Sequence, residues 1–182
     1  MSNEANVTTK QINVKRVCFV SQKPFREILE AIDQAVGHPK MDELWKKLFK
    51  ARTVDEVDET MRKVVGPSGL IEFLRFDHGG IIHKGKAGNA LGMLRLVVGN
   101  PSIMRRMAER VPDAGSYAPV TILIDERPDG THLSYDRMTS LLETYGNREV
   151  LVVAKELDAK VETLLASAAN YGGPALQEKG AP

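Results

Sequence analysis

Val150, Val153, Ala154, Leu157, Val161, Leu164, Leu165 and Ala168 recur at intervals of three and four residues. That spacing places all of them on one side of an α-helix and predicts a single helix from about 148 to 169. The run Val150-Leu151-Val152-Val153 has strand propensity. The apolar stripe continues far beyond it, so the helix is adopted. A helix of this kind is stable only when a second layer covers its apolar side. The rest of the chain has to supply that layer.

Five segments read as its strands. In residues 9–20, Ile12, Val14, Cys18 and Val20 alternate, interrupted by Arg16, while Val17 and Phe19 point the other way. This predicts a strand buried on both faces toward its end, with Cys18 a small core residue. Leu70–Asp77 alternates, Leu91–Val98 is apolar and β-branched, and Val120–Glu126 and Thr131–Tyr135 flank the turn Arg127-Pro128-Asp129-Gly130. Glycine at the end of that turn supplies the positive φ a hairpin needs. Between strands, Ser21 and Pro24 open a helix carrying Phe25, Ile28, Leu29, Ile32 and Val36, which Gly37 ends. Pro101 opens another that runs to about Val111, and Asp136 is expected to cap a third ending near Gly146. Residues 38–66 add two helical patterns, the second starting at the capping box Thr53-Val54-Asp55-Glu56. Strands joined by hairpins or single helices imply an antiparallel sheet. The expected fold is α+β: a two-layer sandwich with helices largely on one face. It forms one domain over 9–170, with 38–66 a helical insertion over part of the core or a pocket mouth. Residues 1–8 and 171–182 are expected to be loose tails.

Three phrases stand out: Phe76-Asp77-His78-Gly79, Leu96-Val97-Val98-Gly99-Asn100-Pro101 and Ser134-Tyr135-Asp136. Together they resemble the bacterial and archaeal domain-of-unknown-function family DUF302, over most of 70–169 and weakly over 10–36. The resemblance implies the same architecture and a homodimer, and carries no agreed activity. Tyr135 matches the family's strand-end aromatic. Ser102-Ile103-Met104-Arg105 stands where the family has a Gly-Thr-Pro-Leu-type continuation, and Tyr117-Ala118-Pro119-Val120 where it has Leu-Pro-Leu.

The charge balance of 25 basic against 24 acidic residues gives no basic field for nucleic acid. The single cysteine forbids an internal disulfide and suits a reducing compartment. No leader pattern and no bilayer-length apolar run is apparent, so a cytoplasmic protein without a membrane partner is expected.

Several residues are candidates for chemistry. His78 ends a strand beside glycines and is the candidate general acid or base. Asp77 precedes it, but alternation on a strand points the two apart. Gly80–Ala87 mimics a phosphate loop, yet Ala87 replaces the magnesium-binding hydroxyl and a strand follows where a helix is required. What survives is anion binding by Lys84 and Lys86 with the loop amides. Asn100 either caps the helix at Pro101 or contacts a ligand there, where helix amides favour anions. Tyr135 is a candidate pocket wall. His78, His83 and His132 lack the spacing of a metal set, so no metal is assigned, and no cofactor is indicated. No serine sits in a nucleophile elbow. The leading expectation is a cytoplasmic homodimer binding a small ligand, an anion being one candidate, in a cleft near the 77–90 loop. The cleft would be built from that loop, Gly99–Pro101 and Tyr135. Two alternatives stand beside it: an enzyme using His78, with Asn100 and Tyr135 orienting substrate, and a protein-interaction scaffold using the 38–66 helices with Trp45 as anchor.

Overall fold

The computed structural model describes residues 6–84 and 91–170. The elements follow in the order β1 (Arg16–Ser21), α1 (Phe25–Ala35), α2 (Met41–Lys50), α3 (Val54–Arg62), β2 (Ile71–Asp77), α4 (His78–Ile82), β3 (Met93–Gly99), α5 (Pro101–Ala108), β4 (Val120–Arg127), β5 (Gly130–Asp136), α6 (Met138–Leu142) and α7 (Arg148–Ala169). The strands make one sheet, ordered β1-β5-β4-β3-β2, and every neighbouring pair is antiparallel. The fold is α+β. Among the described residues, no helix is long and apolar enough to cross a membrane.

The eight stripe residues of α7 are all buried. They meet Ile28 and Ile32 of α1, Ile103 and Met107 of α5, and the inner sheet residues Phe19, Leu96, Ile122 and Leu133 in one core. Full burial of a leucine such as Leu157 or Leu165 contributes about 1.5–3 kcal/mol. Asn147 caps the start of α7 by accepting from the Val150 N–H at 3.1 Å. Asn170 ends it in the left-handed region at φ 56°. The β4–β5 turn closes on Gly130 at φ 135°.

The register decides which side of each strand is inside. One row across the sheet runs Arg75, Leu96, Ile122, Tyr135, Val17, and its centre lies under the helices. The neighbouring row, Phe76, Arg95, Leu123, Ser134, Cys18, therefore faces away from them. This corrects the reading of the first strand. It has 6 residues rather than twelve. Its buried positions are Phe19 and Ser21, whereas Cys18 and Val20 are exposed. Pairing of Phe19 with Leu133 commits the alternate residues to the outer face.

α2 and α3 build a smaller core of Leu44, Met61 and Ile71. Thr53 caps α3, accepting from the Glu56 N–H at 3.2 Å. Glu56 reaches back to the Arg52 N–H at 2.7 Å. Two caps differ from expectation. α1 has no side-chain cap; the Ser21 hydroxyl instead donates to the Ala169 carbonyl. Asp136 does not cap α6, because its carboxylate is bonded to Arg16. The capping carboxylate is that of Asp158 on α7, accepting from the Met138 N–H at 2.7 Å and the Thr139 N–H at 3.1 Å. The expected glycine-rich loop after Asp77 begins as α4. Lys86 and the tail 171–182 lie outside the described residues, as do residues 1–5.

Candidate functional site

The end of β3 turns directly into α5, and a cavity opens at that junction. Asn100 makes the turn. Its Oδ1 accepts from the Ser102 N–H at 2.9 Å, and its Nδ2 donates to the Gly69 carbonyl at 3.0 Å. Pro101 takes the first helical position, where no N–H is needed. Gly99 lets the chain at Pro119 approach: a Cβ there would lie 3.1 Å from the Pro119 Cβ. The cavity has a volume of ≈ 380 Å³, within the range of small-molecule sites. Its walls come from six places: Met41 and Trp45 on α2, Phe73 and Leu74 on β2, Val97 on β3, Pro101 and Met104 on α5, the segment Ala118–Val120, and Leu157 on α7. The Trp45 and Phe73 rings sit 6.2 Å apart. Among the described residues, Asn100 is, apart from the Trp45 indole, the only polar side chain on the wall. Such a surface favours an apolar or aromatic body.

Among the described residues, Asn100 is the one sequence-predicted site residue that lines this cavity. It leaves no amide for an anion. Pro101 has no N–H, the Ser102 N–H is bonded to Asn100 Oδ1, and the Ile103 and Met104 N–H groups both point to the Asn100 carbonyl at 3.0 Å. The helix start is closed by its own cap.

His78 lies elsewhere. Asp77 pairs with Leu94 and Ile71 with Gly99. His78 is therefore near the beginning of β3 and Asn100 at its end, roughly 20 Å apart at 3.3 Å per residue. His78 opens α4 and stacks on Phe76, ring centroids 6.2 Å apart. Asp77 Oδ1 accepts from the Gly80 N–H at 2.8 Å, which puts a negative charge where the phosphate-like loop would receive an anion. Lys84 is exposed just beyond α4.

Tyr135 is not a pocket wall. It is buried under α7, where its hydroxyl donates to Asp158 Oδ1 at 2.6 Å and accepts from the Met138 N–H at 3.2 Å. Burial, and then the Asp158 charge, push its hydroxyl far above the ordinary tyrosine value. His78, Asn100 and Tyr135 thus occupy three separate places, and among the described residues no cleft is lined by more than one of them. His132 Nε2 bonds to Asp129 Oδ1 at 2.8 Å, which holds that carboxyl below its usual range.

The residues that do form the cavity, Phe73, Val97 and Met104 among them, are apolar in the way ordinary core positions are. Apolar spacing does not separate a core wall from a pocket wall. The available signals were Trp45 on an amphipathic helix and the retained Pro119.

A family model described as "Domain of unknown function DUF302" matches residues 45–168. The fold is similar to the crystal structure of an uncharacterized conserved protein DUF302 from Bacillus stearothermophilus, with a TM-score of 0.54 and 14% identity, covering 85% of this chain and 95% of that one. At that identity the likeness concerns the fold. No curated protein matches this sequence.

Proposed function

This chain belongs to the DUF302 family, and on that premise we propose that it binds a small, neutral, largely apolar molecule in the cavity at the β3–α5 junction. The observation that carries this reading is the wall itself. Apolar groups surround ≈ 380 Å³, with the Asn100 amide on one side and the Trp45–Phe73 pair on another. The seat is moved from the 77–90 loop because none of residues 77–84 lines this cavity. The preference is moved from an anion to a neutral ligand because Asn100 and the first amides of α5 are already bonded to one another. In this reading 9–170 is one domain, and 38–66 is an insertion whose helix α2 forms the cavity mouth.

The protein acts as a cytoplasmic homodimer. The support is the outer face of the sheet, where Val20, Leu74 and Phe76 are 52%, 56% and 42% exposed. A second copy would cover that apolar face. A binding or accessory role is the reading adopted, the described residues on the cavity wall being almost all apolar. One observation favours the scaffold alternative: Phe49, 83% exposed, stacks on Trp45 at 5.8 Å.

Trp45 is the only tryptophan, so the emission comes from a residue on the cavity wall. Titration with N-phenyl-1-naphthylamine, a neutral aromatic probe, should quench Trp45 emission saturably. Met104→Arg, which places a charge in the wall, should abolish the quenching while circular dichroism stays unchanged. Probe binding that survives Met104→Arg would place the ligand elsewhere and defeat the proposal. No response to the probe, together with a change in Trp45 emission on adding a partner protein, would favour the scaffold.

A further inference from the structure

We propose that Asp33, His38 and Glu72 form a site for a first-row divalent cation of the zinc type, closed in this structure by Arg75. It lies apart from the cavity and does not depend on it. Among the described residues these three side chains bring a carboxylate, an imidazole and a second carboxylate within 4.8 Å of one another. They come from three positions that the backbone holds together. Asp33 is in the last turn of α1, His38 follows Gly37, and Glu72 is on edge strand β2. The Gly37 N–H donates to the Leu70 carbonyl and the Glu72 N–H to the Gly37 carbonyl, each at 2.9 Å. The donors are therefore placed by the fold rather than by chance meeting of long side chains.

Arg75 now occupies the space between the carboxylates. Its Nε donates to Glu72 Oε1 at 3.0 Å and its Nη2 to Glu72 Oε2 at 2.7 Å, while Nη2 also contacts Asp33 Oδ1. Two carboxylates and one guanidinium leave a net charge of −1. A divalent ion in place of the guanidinium brings the set to neutrality. The Arg75 side chain is 32% exposed and can swing into solvent, whereas Glu72 is 11% exposed and stays as the anchor. His38 Nε2 lies 3.1 Å from the Asp33 carbonyl oxygen and 3.9 Å from Asp33 Oδ1. To ligate, the neutral imidazole gives up its bond to the carbonyl and turns a nitrogen lone pair to the ion; its single proton rests on the other nitrogen, and none is released. One nitrogen and two carboxylate oxygens with open positions is a zinc-type donor set. Calcium demands six or more oxygens, and magnesium keeps most of its waters.

The competing account is an ion-pair network in which Arg75 is a permanent member. Zinc titration calorimetry on the full chain separates the two. If Arg75 is the displaced cation, Arg75→Met should bind zinc about tenfold more tightly than the wild type, and His38→Ala should weaken binding by about tenfold in both backgrounds. Zinc should also raise the melting temperature of Arg75→Met more than that of the wild type. Equal affinity in the wild type and Arg75→Met, or binding indifferent to His38→Ala, overturns the proposal. Should Arg75→Met fail to fold, Glu72→Gln and His38→Ala in the wild-type background carry the test. Undiminished affinity in either, or no binding to the wild type at millimolar zinc, overturns it equally.

Discussion

The hydroxyl of Tyr135 and the carboxylate of Asp158 meet at 2.6 Å beneath α7, and through them the last strand, the long helix and the start of α6 are tied at one buried point. The same carboxylate accepts from the Met138 N–H, the Thr139 N–H and the Thr139 hydroxyl. Asp158→Ala leaves the half-buried Thr139 N–H and hydroxyl without this acceptor, and the buried Met138 N–H with the Tyr135 hydroxyl alone. Each buried unpaired group costs about 1–3 kcal/mol, so a loss of roughly 3 kcal/mol is expected in urea unfolding. Tyr135→Phe removes the bond to Asp158 and the longer one from the Met138 N–H, which keeps Asp158 as acceptor, and should cost about 1 kcal/mol. A loss under that in Asp158→Ala would show that water replaces the lost acceptor.

The Tyr135 proton has a consequence for alkaline stability. Its hydroxyl is raised above the ordinary value of 10.0 by burial, then by the Asp158 charge. In the folded chain the proton stays; in the unfolded chain it leaves above about pH 10. The unfolded state then binds fewer protons, so stability is fully present below that pH and falls as pH rises beyond it. A tyrosinate absorbance titration should show Tyr135 ionising only together with the loss of near-ultraviolet dichroism. Tyr135→Phe should flatten the decline.

Gly37 joins α1 to the edge of β2 without room for a side chain. A Cβ there would come within 1.9 Å of the Val64 carbonyl oxygen. Backbone cannot rotate away as a flexible side chain would. Gly37→Ala should therefore destabilise by about 1–3 kcal/mol despite its small volume. A melting temperature equal to that of the wild type would mean the α3–β2 connection shifts freely.

Dimerisation through the outer sheet face is checked by light scattering. At micromolar concentration the mass should be twice the 20.1 kDa of one chain. Replacing Leu74 and Phe76 by lysine should return the single-chain mass with the dichroism spectrum intact, because both side chains point away from the core. A monomer in the unaltered protein would reject the proposed assembly.

The part of the structure governed by short-range periodicity could be read from the order of residues. The spacing of Val150 through Ala168 is enough to define α7, since 3.6 residues per turn is a local property. Gly130 in its turn, Pro101 at a helix start and Thr53 as a cap were legible for the same reason: each acts within four residues of itself. The α+β class and the antiparallel sheet followed from the order of those elements. Tertiary structure decided everything that depended on partners distant in the chain. Both sets of alternating residues in β1 are partly apolar, so only the pairing of Phe19 with Leu133 turns Cys18 outward. Asp136 was the nearer cap for α6, but its bond to Arg16 leaves that role to Asp158, 20 residues beyond Met138. The cavity at Asn100 and the donor set at Arg75 assemble from segments separated by tens of residues. A local pattern holds no record of such convergence, because it arises only when the sheet and helices pack.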